Sequence, residues 1–301
     1  MDFEDNSLDK FLNNHFPDKY WNAETLFHYT TLDGLDKITA PAADLYCTNF
    51  HALNDNGEFR IGFKYAFDYL KQHNILPPDK LKDVNTATAI SDSQYLLTPW
   101  IMSFSTEHDS LYQWGIYTPK ANGGYAIGFD RNQFEKSIAN MGSQPTPKYL
   151  KHSISLLPCI YLPKETEYAD QLLYFMFGEY RRKVFKHEPS DDLHELSQIL
   201  RLILLFASIV KHDSFEPEKE FRLIIQATDP SALANCVFFG GKPRLPSMIN
   251  REINPISKAI KKIIISPHGD IGLLHTTASI MKISRGINCE ITISKSSYNG
   301  R

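Results

Sequence analysis

Segments that predict β-strands recur along the whole length of this 301-residue chain, with segments of helical periodicity between them. Strands and helices spread in this way through one sequence indicate a mixed α and β fold. Neither a repeat nor a low-complexity tract nor a linker divides the sequence. We therefore expect residues 25–301 to form a single α+β domain, with a helical lead-in at 1–24 and a helical insertion at about 168–210.

The predicted strand LFHYTT (residues 26–31) carries a histidine at its centre. Period-two alternation places His28 and Thr30 on the face opposite Phe27 and Tyr29. Taken alone, His28 is best interpreted as a core histidine whose ring nitrogens bond to the backbone. A functional interpretation requires that other polar strands reach the same place.

A second predicted strand, WIMSFS (100–105), has hydroxyl groups at its end. Ser103 and Ser105 share one face of this strand, and Phe104 lies on the other. Each hydroxyl can both donate and accept hydrogen bonds, so the pair could support a polar site. Serines at a strand end also commonly cap the helix that follows, which is the structural alternative.

The third polar segment is EPEKEFRLIIQ (216–226). If the strand begins near residue 218, then Glu218, Glu220 and Arg222 share one face. Two carboxylates so close repel each other unless one binds a cation or they share a proton, and Arg222 could supply a salt bridge. The alternative is a solvated acidic turn followed by a shorter strand, RLIIQ.

Charge, cysteine spacing and hydropathy limit the class of protein, although a nucleic-acid substrate is not excluded. The formal net charge is −3 and the isoelectric point about 6.4, so there is no global basic field for nucleic acid. The four cysteines show no C-x-x-C spacing. The longest apolar stretch, LILLFASIV (202–210), is too short to span a bilayer, and the acidic N-terminus does not resemble a signal peptide. We expect a cytoplasmic protein that does not interact with membranes.

Two further motifs are candidates for ligand binding. The loop NDNGE (54–58) could hold a metal ion together with His51, although a simple turn is the alternative. The segment FGGKPR (239–244) is a Gly-rich basic turn and a minor candidate for phosphate binding. Neither the G-x-x-x-x-G-K-[ST] phosphate loop nor a G-x-G-x-x-G motif after a strand is present.

The order of the short motifs resembles that of a known family. The chain contains, in order, HYT, NDNGE, SFST…LYQWGIY…GGYAIGF, EPEKEFR and IIISPHGD…CEITIS. From about Leu26 to the C-terminus this series resembles the DUF2971 family of uncharacterised bacterial proteins. The family name supplies no function.

A more distant resemblance implies a chemistry. A histidine on a first strand, S-x-S on a second and E-x-E on a third resemble the R-S-E and H-Y-E signatures of ADP-ribosyltransferases. The resemblance implies mixed and antiparallel sheets around an NAD-type cleft. It also implies NAD as substrate, with no metal expected. Glu220 would hold the nicotinamide ribose and stabilise its positive charge, and Glu218 would orient or deprotonate the acceptor.

The same resemblance implies roles for other residues in NAD binding. His28, with help from Thr30, would hydrogen-bond the adenosine-side ribose or a phosphate oxygen. Ser103 and Ser105 would support Glu220, and Arg222 would lie at the same cleft. An aromatic residue would stack on nicotinamide. The candidates for this stacking residue are Trp114 and Tyr125.

Three functional hypotheses follow. The first is an ADP-ribosyltransferase that modifies a macromolecular acceptor, protein or nucleic acid, as a toxin or anti-phage defence effector, with an antitoxin or a defence-complex subunit as partner. The second is a metal-dependent nuclease that uses His51, Asp55 and Glu58, with Glu218 and Glu220. The third is a non-catalytic nucleotide sensor or assembly partner that uses the same cleft.

Overall fold

The computed structural model of the protein describes most of the chain. The described residues are 23–40, 45–53, 57–76, 78, 80, 82–83, 99–142, 152–184, 192–227, 236–239, 241–246 and 256–296. The predicted helical lead-in at 1–24 lies almost wholly outside these ranges. None of the helices within them has the length and apolar character needed to cross a membrane.

Strands and helices alternate along the chain, as the sequence predicts. The strands are β1 (Thr25–Thr30), β2 (Tyr46–Asn49), β3 (Trp100–Ser105), β4 (Tyr125–Asp130), β5 (His152–Pro158), β6 (Ile160–Leu162), β7 (Val210–His212), β8 (Glu220–Ala227), β9 (Val237–Phe239), β10 (Lys242–Pro246), β11 (Ile260–Ile265) and β12 (Glu290–Ile293). The α-helices are α1 (Leu32–Thr39), α2 (Gly57–Gln72), α3 (Leu111–Tyr117), α4 (Arg131–Gly142), α5 (Thr166–Val184), α6 (Asp192–Ala207) and α7 (Ile271–Ser284). Short 3-10 helices cover Phe50–Ala52, Asp213–Glu218 and Ile256–Ala259.

The fold is α+β with a mostly antiparallel sheet, and the coarse prediction is therefore confirmed. Within the described ranges, ten strands form one sheet, and β6 and β7 form a separate parallel pair. Helices α5 and α6 lie in the segment in which the sequence predicted a helical insertion. One local prediction was incomplete. The segment 239–244 is not only a turn, because Lys242 begins strand β10.

The large sheet divides into two branches at β3. Strand β8 pairs with β3 along its whole length, from Trp100↔Ile225 to Ser105↔Glu220, and so occupies one edge. On the other edge β1 pairs only at Ser105, whereas β2 pairs only at Trp100 and Ile101. Among the described residues, nothing pairs with the edge of β3 from Met102 to Phe104. The sheet therefore leaves a gap there, between the β1 branch and the β2 branch.

Each face of the central strands contacts a different hydrophobic core. Ile101 and Ile224 belong to a cluster with the apolar faces of α2, α5 and α6. Phe104, Leu223 and Ile225 belong to a second cluster on the opposite face. Alternation along β8 therefore places Glu220 and Arg222 on the face toward the inserted helices.

Helices α2 and α6 approach each other closely at Gly62. A Cβ atom there would lie 2.8 Å from Ala207 Cα and 2.8 Å from Val210 Cβ. We expect Gly62→Ala to lower the free energy of unfolding by about 1–3 kcal/mol, because backbone atoms cannot move aside as a flexible side chain can. Urea denaturation measures this change.

Gly178 in α5 is the matched control, since an added Cβ would meet nothing within 4 Å. Gly178→Ala should leave stability unchanged or raise it by up to ~1 kcal/mol, the helix preference of alanine. Equal stability of the two variants would show that α2 and α6 do not pack this closely.

Candidate functional site

A cavity of about 440 Å³ opens where the two branches of the sheet separate. This volume lies within the range of roughly 300–1,000 Å³ typical of small-molecule sites. Strands β1, β2, β3, β8 and β10 contribute to its wall, together with helix α1, the end of α3, and β7 with the 3-10 helix that follows it. Its lining residues include His28, Thr30, Thr48, Ser103, Tyr117, Lys211, Glu218, Glu220, Arg222, Lys242 and Arg244.

The structure brings six of the nine predicted site residues to this cavity. They are His28, Thr30, Ser103, Glu218, Glu220 and Arg222. The other three predicted residues, Ser105, Trp114 and Tyr125, are buried beside the cavity or in the core. All three predicted polar segments therefore meet, although the sequence separates the first from the third by almost two hundred residues.

The acidic pair is held by a buried lysine that no motif had indicated. Lys211 Nζ donates to Glu218 Oε2 at 2.6 Å and to Glu220 Oε2 at 2.7 Å. Arg222 Nε donates to Glu220 Oε1 at 2.8 Å. All four side chains are at most 4% exposed. Neither predicted arrangement of this segment, a strand from residue 218 or a solvated turn, is therefore correct.

Local backbone geometry explains how both acids reach Lys211. Glu218 ends a 3-10 helix, and Lys219 then adopts the left-handed region at φ 43° before β8 begins at Glu220. The backbone carbonyl of Glu218 accepts from Ser105 Oγ at 2.7 Å and from Gln113 Nε2 at 3.1 Å. Ser105 therefore positions Glu218, whereas the sequence predicted that it supports Glu220.

The position of Lys211 follows from the helical insertion. Helix α6 ends at Ala207, and β7 pairs in parallel with β6, with Lys211 opposite Tyr161. The Tyr161 hydroxyl accepts from Glu220 N at 2.8 Å. The insertion thus delivers the cation that allows two buried carboxylates to coexist. Sequence motifs do not reveal Lys211, because an isolated lysine after an apolar helix forms no recognisable pattern.

The environments of the two carboxylates shift their pKa values in opposite directions. Burial alone would raise the pKa of Glu220, but Arg222 and Lys211 outweigh burial and hold that pKa well below its usual range. Burial and the nearby Glu220 charge raise the pKa of Glu218 to about 7, although Lys211 opposes this shift. Near neutral pH, Glu220 is ionised and Glu218 exchanges a proton.

His28 is a neutral hydrogen-bond acceptor toward the cavity. Its Nδ1 lies 2.9 Å from the carbonyl oxygen of Ser103, so Nδ1 carries the proton and Nε2 is left as an acceptor. Burial lowers the pKa of His28 to about 4, the Ser103 hydrogen bond opposes this shift, and the charge of Arg244 adds to it. In this tautomer Nε2 suits a ribose hydroxyl rather than a phosphate oxygen.

The two aromatic residues predicted to stack on nicotinamide do not line the cavity. Trp114 Nε1 donates to Asp109 at 2.8 Å, and its ring packs edge-on against Tyr29. Tyr125 is fully buried and donates its hydroxyl to the carbonyl of Leu274 at 3.1 Å. Tyr117 lines the cavity instead. Burial, followed by the nearby charges of Glu220 and Glu218, raises the pKa of the Tyr117 hydroxyl.

The predicted alternative metal site lies mostly outside the described residues. Asp55 and the side chain of Glu58 lie outside the part of the chain that the structure describes. Within the ranges given above, no group of three or more His, Cys, Asp or Glu side chains is placed to hold a metal ion. The nuclease hypothesis therefore stays a prediction.

One segment of the chain matches a known family model. Residues 113–223 match the family model described as Protein of unknown function (DUF2971), and the predicted resemblance is confirmed for this segment. The segment contains Lys211, Glu218, Glu220 and Arg222, whereas His28 lies outside it. No curated protein and no solved structure matches the chain.

The raised pKa of Glu218 makes stability depend on pH in a defined direction. The folded protein holds the Glu218 proton up to about pH 7, whereas the unfolded chain releases it near its ordinary value of 4.5. This stabilisation is complete below pH 4.5 and disappears as the pH rises through 7. Relative to Glu218→Gln, the wild-type protein should lose about 1–3 kcal/mol of unfolding free energy between about pH 5 and pH 8.

Urea denaturation of both proteins at the two pH values tests this expectation. Glu216→Gln is the matched control, because Glu216 lies in the same 3-10 helix but pairs with the exposed Lys164. A wild-type advantage over Glu218→Gln that grows with pH would contradict the assignment of the titrating proton to Glu218.

Proposed function

We propose that the chain binds NAD in this cavity and transfers its ADP-ribose group to an acceptor. The observation that carries the proposal is the pair of carboxylates in the wall of the cavity. Glu220 is held ionised, and Glu218 titrates near neutral pH. Two acidic groups whose pKa values are driven apart are the usual basis of paired electrostatic and acid–base catalysis.

The charges and polar groups of the cavity suit a dinucleotide. Five basic side chains line it, Lys37, Lys211, Arg222, Lys242 and Arg244, against three acids, Asp33, Glu218 and Glu220. A surplus of cations favours a pyrophosphate. His28 Nε2 can accept from a ribose hydroxyl, and Tyr117 offers an aromatic ring for a planar base.

Each carboxylate has a separate role in the proposed reaction. The bond between nicotinamide and C1′ of its ribose breaks, and the bonding electron pair leaves with nicotinamide. Glu220 stabilises the positive charge that develops on the ribose, because its carboxylate is already ionised and fixed in place. Glu218 accepts the proton of the attacking hydroxyl, amine or water as the new bond to C1′ forms.

The high burial of Glu220 favours a second candidate function. Its side chain is 3% exposed, and its two oxygens already accept hydrogen bonds from Lys211 and Arg222. Such a network can serve mainly to hold β7 and β8 together beside a ligand that is bound but not cleaved. The chain would then be a nucleotide sensor, and Glu220→Gln would leave its ligand affinity unchanged.

The Glu220→Gln variant separates these functions. We expect release of nicotinamide from NAD to fall at least about 100-fold, because an amide lacks the negative charge that stabilises the ribose cation. The measurement uses NAD labelled on its adenylate together with a bacterial lysate, and follows both free nicotinamide and label on protein or nucleic acid. The labelled fraction identifies the class of macromolecular acceptor.

Glu216→Gln serves as the control for loss of one acidic charge in the same region, and should behave as the wild type. Equal nicotinamide release by the wild type and Glu220→Gln would contradict the proposed chemistry. Retained NAD binding without release in either protein would favour the sensor.

The pH dependence of transfer reports on Glu218. A general base must be deprotonated, so the rate of ADP-ribose transfer should rise with pH through about 7 and then level off. Glu218→Gln should remove this rise and slow transfer to an acceptor about 100-fold or more, with a smaller effect on nicotinamide release. An unchanged pH profile in Glu218→Gln would assign the titrating group to another residue.

A further inference from the structure

Arg244 stands out among the cations of the cavity. Strand β10 pairs with β2, with Arg244 opposite Thr48, and both residues line the cavity. The sequence had indicated the segment 239–244 as a Gly-rich basic turn and a minor candidate for phosphate binding, without singling out Arg244. The proposed function counts Arg244 only as one of five cations and gives it no role in the reaction steps. Gly241, at φ 75°, precedes β10 and allows the chain to turn back from β9 along β2.

Three of the other four basic side chains of the cavity form ion pairs with carboxylates. Lys211 and Arg222 bind Glu218 and Glu220, and Lys37 binds Asp33 at 2.7 Å. Arg244, in contrast, forms no ion pair with any residue of the described ranges. Its Nε atom is buried there without a hydrogen-bond partner. A partly buried guanidinium that lacks an anion is costly, and arginine is a preferred residue for binding phosphate groups.

We propose that Arg244 is the phosphate anchor of the cavity and binds a phosphate group of a nucleotide through its guanidinium. The planar fork of an arginine matches two phosphate oxygens at once. Lys242 lines the same cavity from the same strand and adds positive charge. The identity of the ligand as NAD rests on the function proposed above, but the phosphate subsite itself does not.

The neighbourhood of Arg244 also indicates what adjoins the phosphate. Arg244 lies close enough to His28 for its charge to disfavour protonation of the imidazole. His28 Nε2 therefore stays an acceptor beside a cation, and it suits a hydroxyl donor rather than a second anion. A phosphate at Arg244 next to a ribose hydroxyl at His28 describes a nucleoside phosphate, not free inorganic phosphate.

Calorimetric titration of the full chain with ADP and with adenosine tests this subsite. The wild type should bind ADP more tightly than adenosine. Arg244→Gln should weaken ADP binding by about 10- to 100-fold and leave adenosine binding unchanged, because only the charged hydrogen bonds to phosphate are lost. Arg244→Lys should fall between them, since lysine keeps the charge but not the fork.

Lys261→Gln is the matched control for overall charge. Lys261 is exposed, pairs with Asp130, and lies outside the cavity, so its replacement should leave both affinities unchanged. Thermal unfolding of ligand-free Arg244→Gln adds a second measurement. A purely structural role of Arg244 would make this variant less stable than the wild type. The variant should be at least as stable as the wild type, because an unpaired buried charge is removed.

Several results would overturn the proposal. They are equal affinity of the wild type for ADP and adenosine, an unchanged ADP-to-adenosine ratio in Arg244→Gln, and failure of Arg244→Gln to fold. Arg244-dependent ADP binding without NAD cleavage would support the phosphate anchor and contradict the transferase function. NAD cleavage with an unchanged KM in Arg244→Gln would support the transferase function and contradict the phosphate anchor.

Discussion

The rest of the site depends on one interaction, the pairing of the Lys211 ammonium group with two buried carboxylates. Without it, Glu218 would have no cationic partner among the described residues and Glu220 would have only Arg222. Breaking such a buried network typically costs about 3–5 kcal/mol. The lysine also joins three segments, because it lies on β7 and binds the end of a 3-10 helix and the start of β8. Arg222 completes the network from β8 itself.

The division of the sheet gives this network a cavity to face. Strand β3 is paired along one edge with β8, whereas its other edge is shared by β1 at one end and β2 at the other. The open middle of that edge exposes the carbonyl of Ser103, which His28 then binds. The same separation places His28 on the β1 branch of the sheet and Arg244 on the β2 branch, on opposite sides of the gap. In the proposed function, this forked sheet places His28 to accept from a ribose hydroxyl and Arg244 to donate to a phosphate.

The sequence predicted what depends on local periodicity. Strand alternation correctly placed His28 and Thr30 on one face and Glu220 and Arg222 on another, and these residues meet in one cavity. The sequence failed to predict the roles of residues whose positions depend on long-range packing. Lys211 becomes significant only because the inserted helices return the chain to β6. Trp114 is buried, and its Nε1 donates a hydrogen bond to Asp109. The spacing of residues in the sequence does not reveal this contact.

A crystal structure of the protein with ADP-ribose bound tests the central claim most directly, because it reports both ends of the cavity at once. The proposed function predicts a phosphate within about 3 Å of the Arg244 guanidinium. It also predicts that the ribose carbon released from nicotinamide faces Glu220. ADP-ribose bound outside the cavity, bound with this ribose turned away from Glu220, or not bound at all would contradict it.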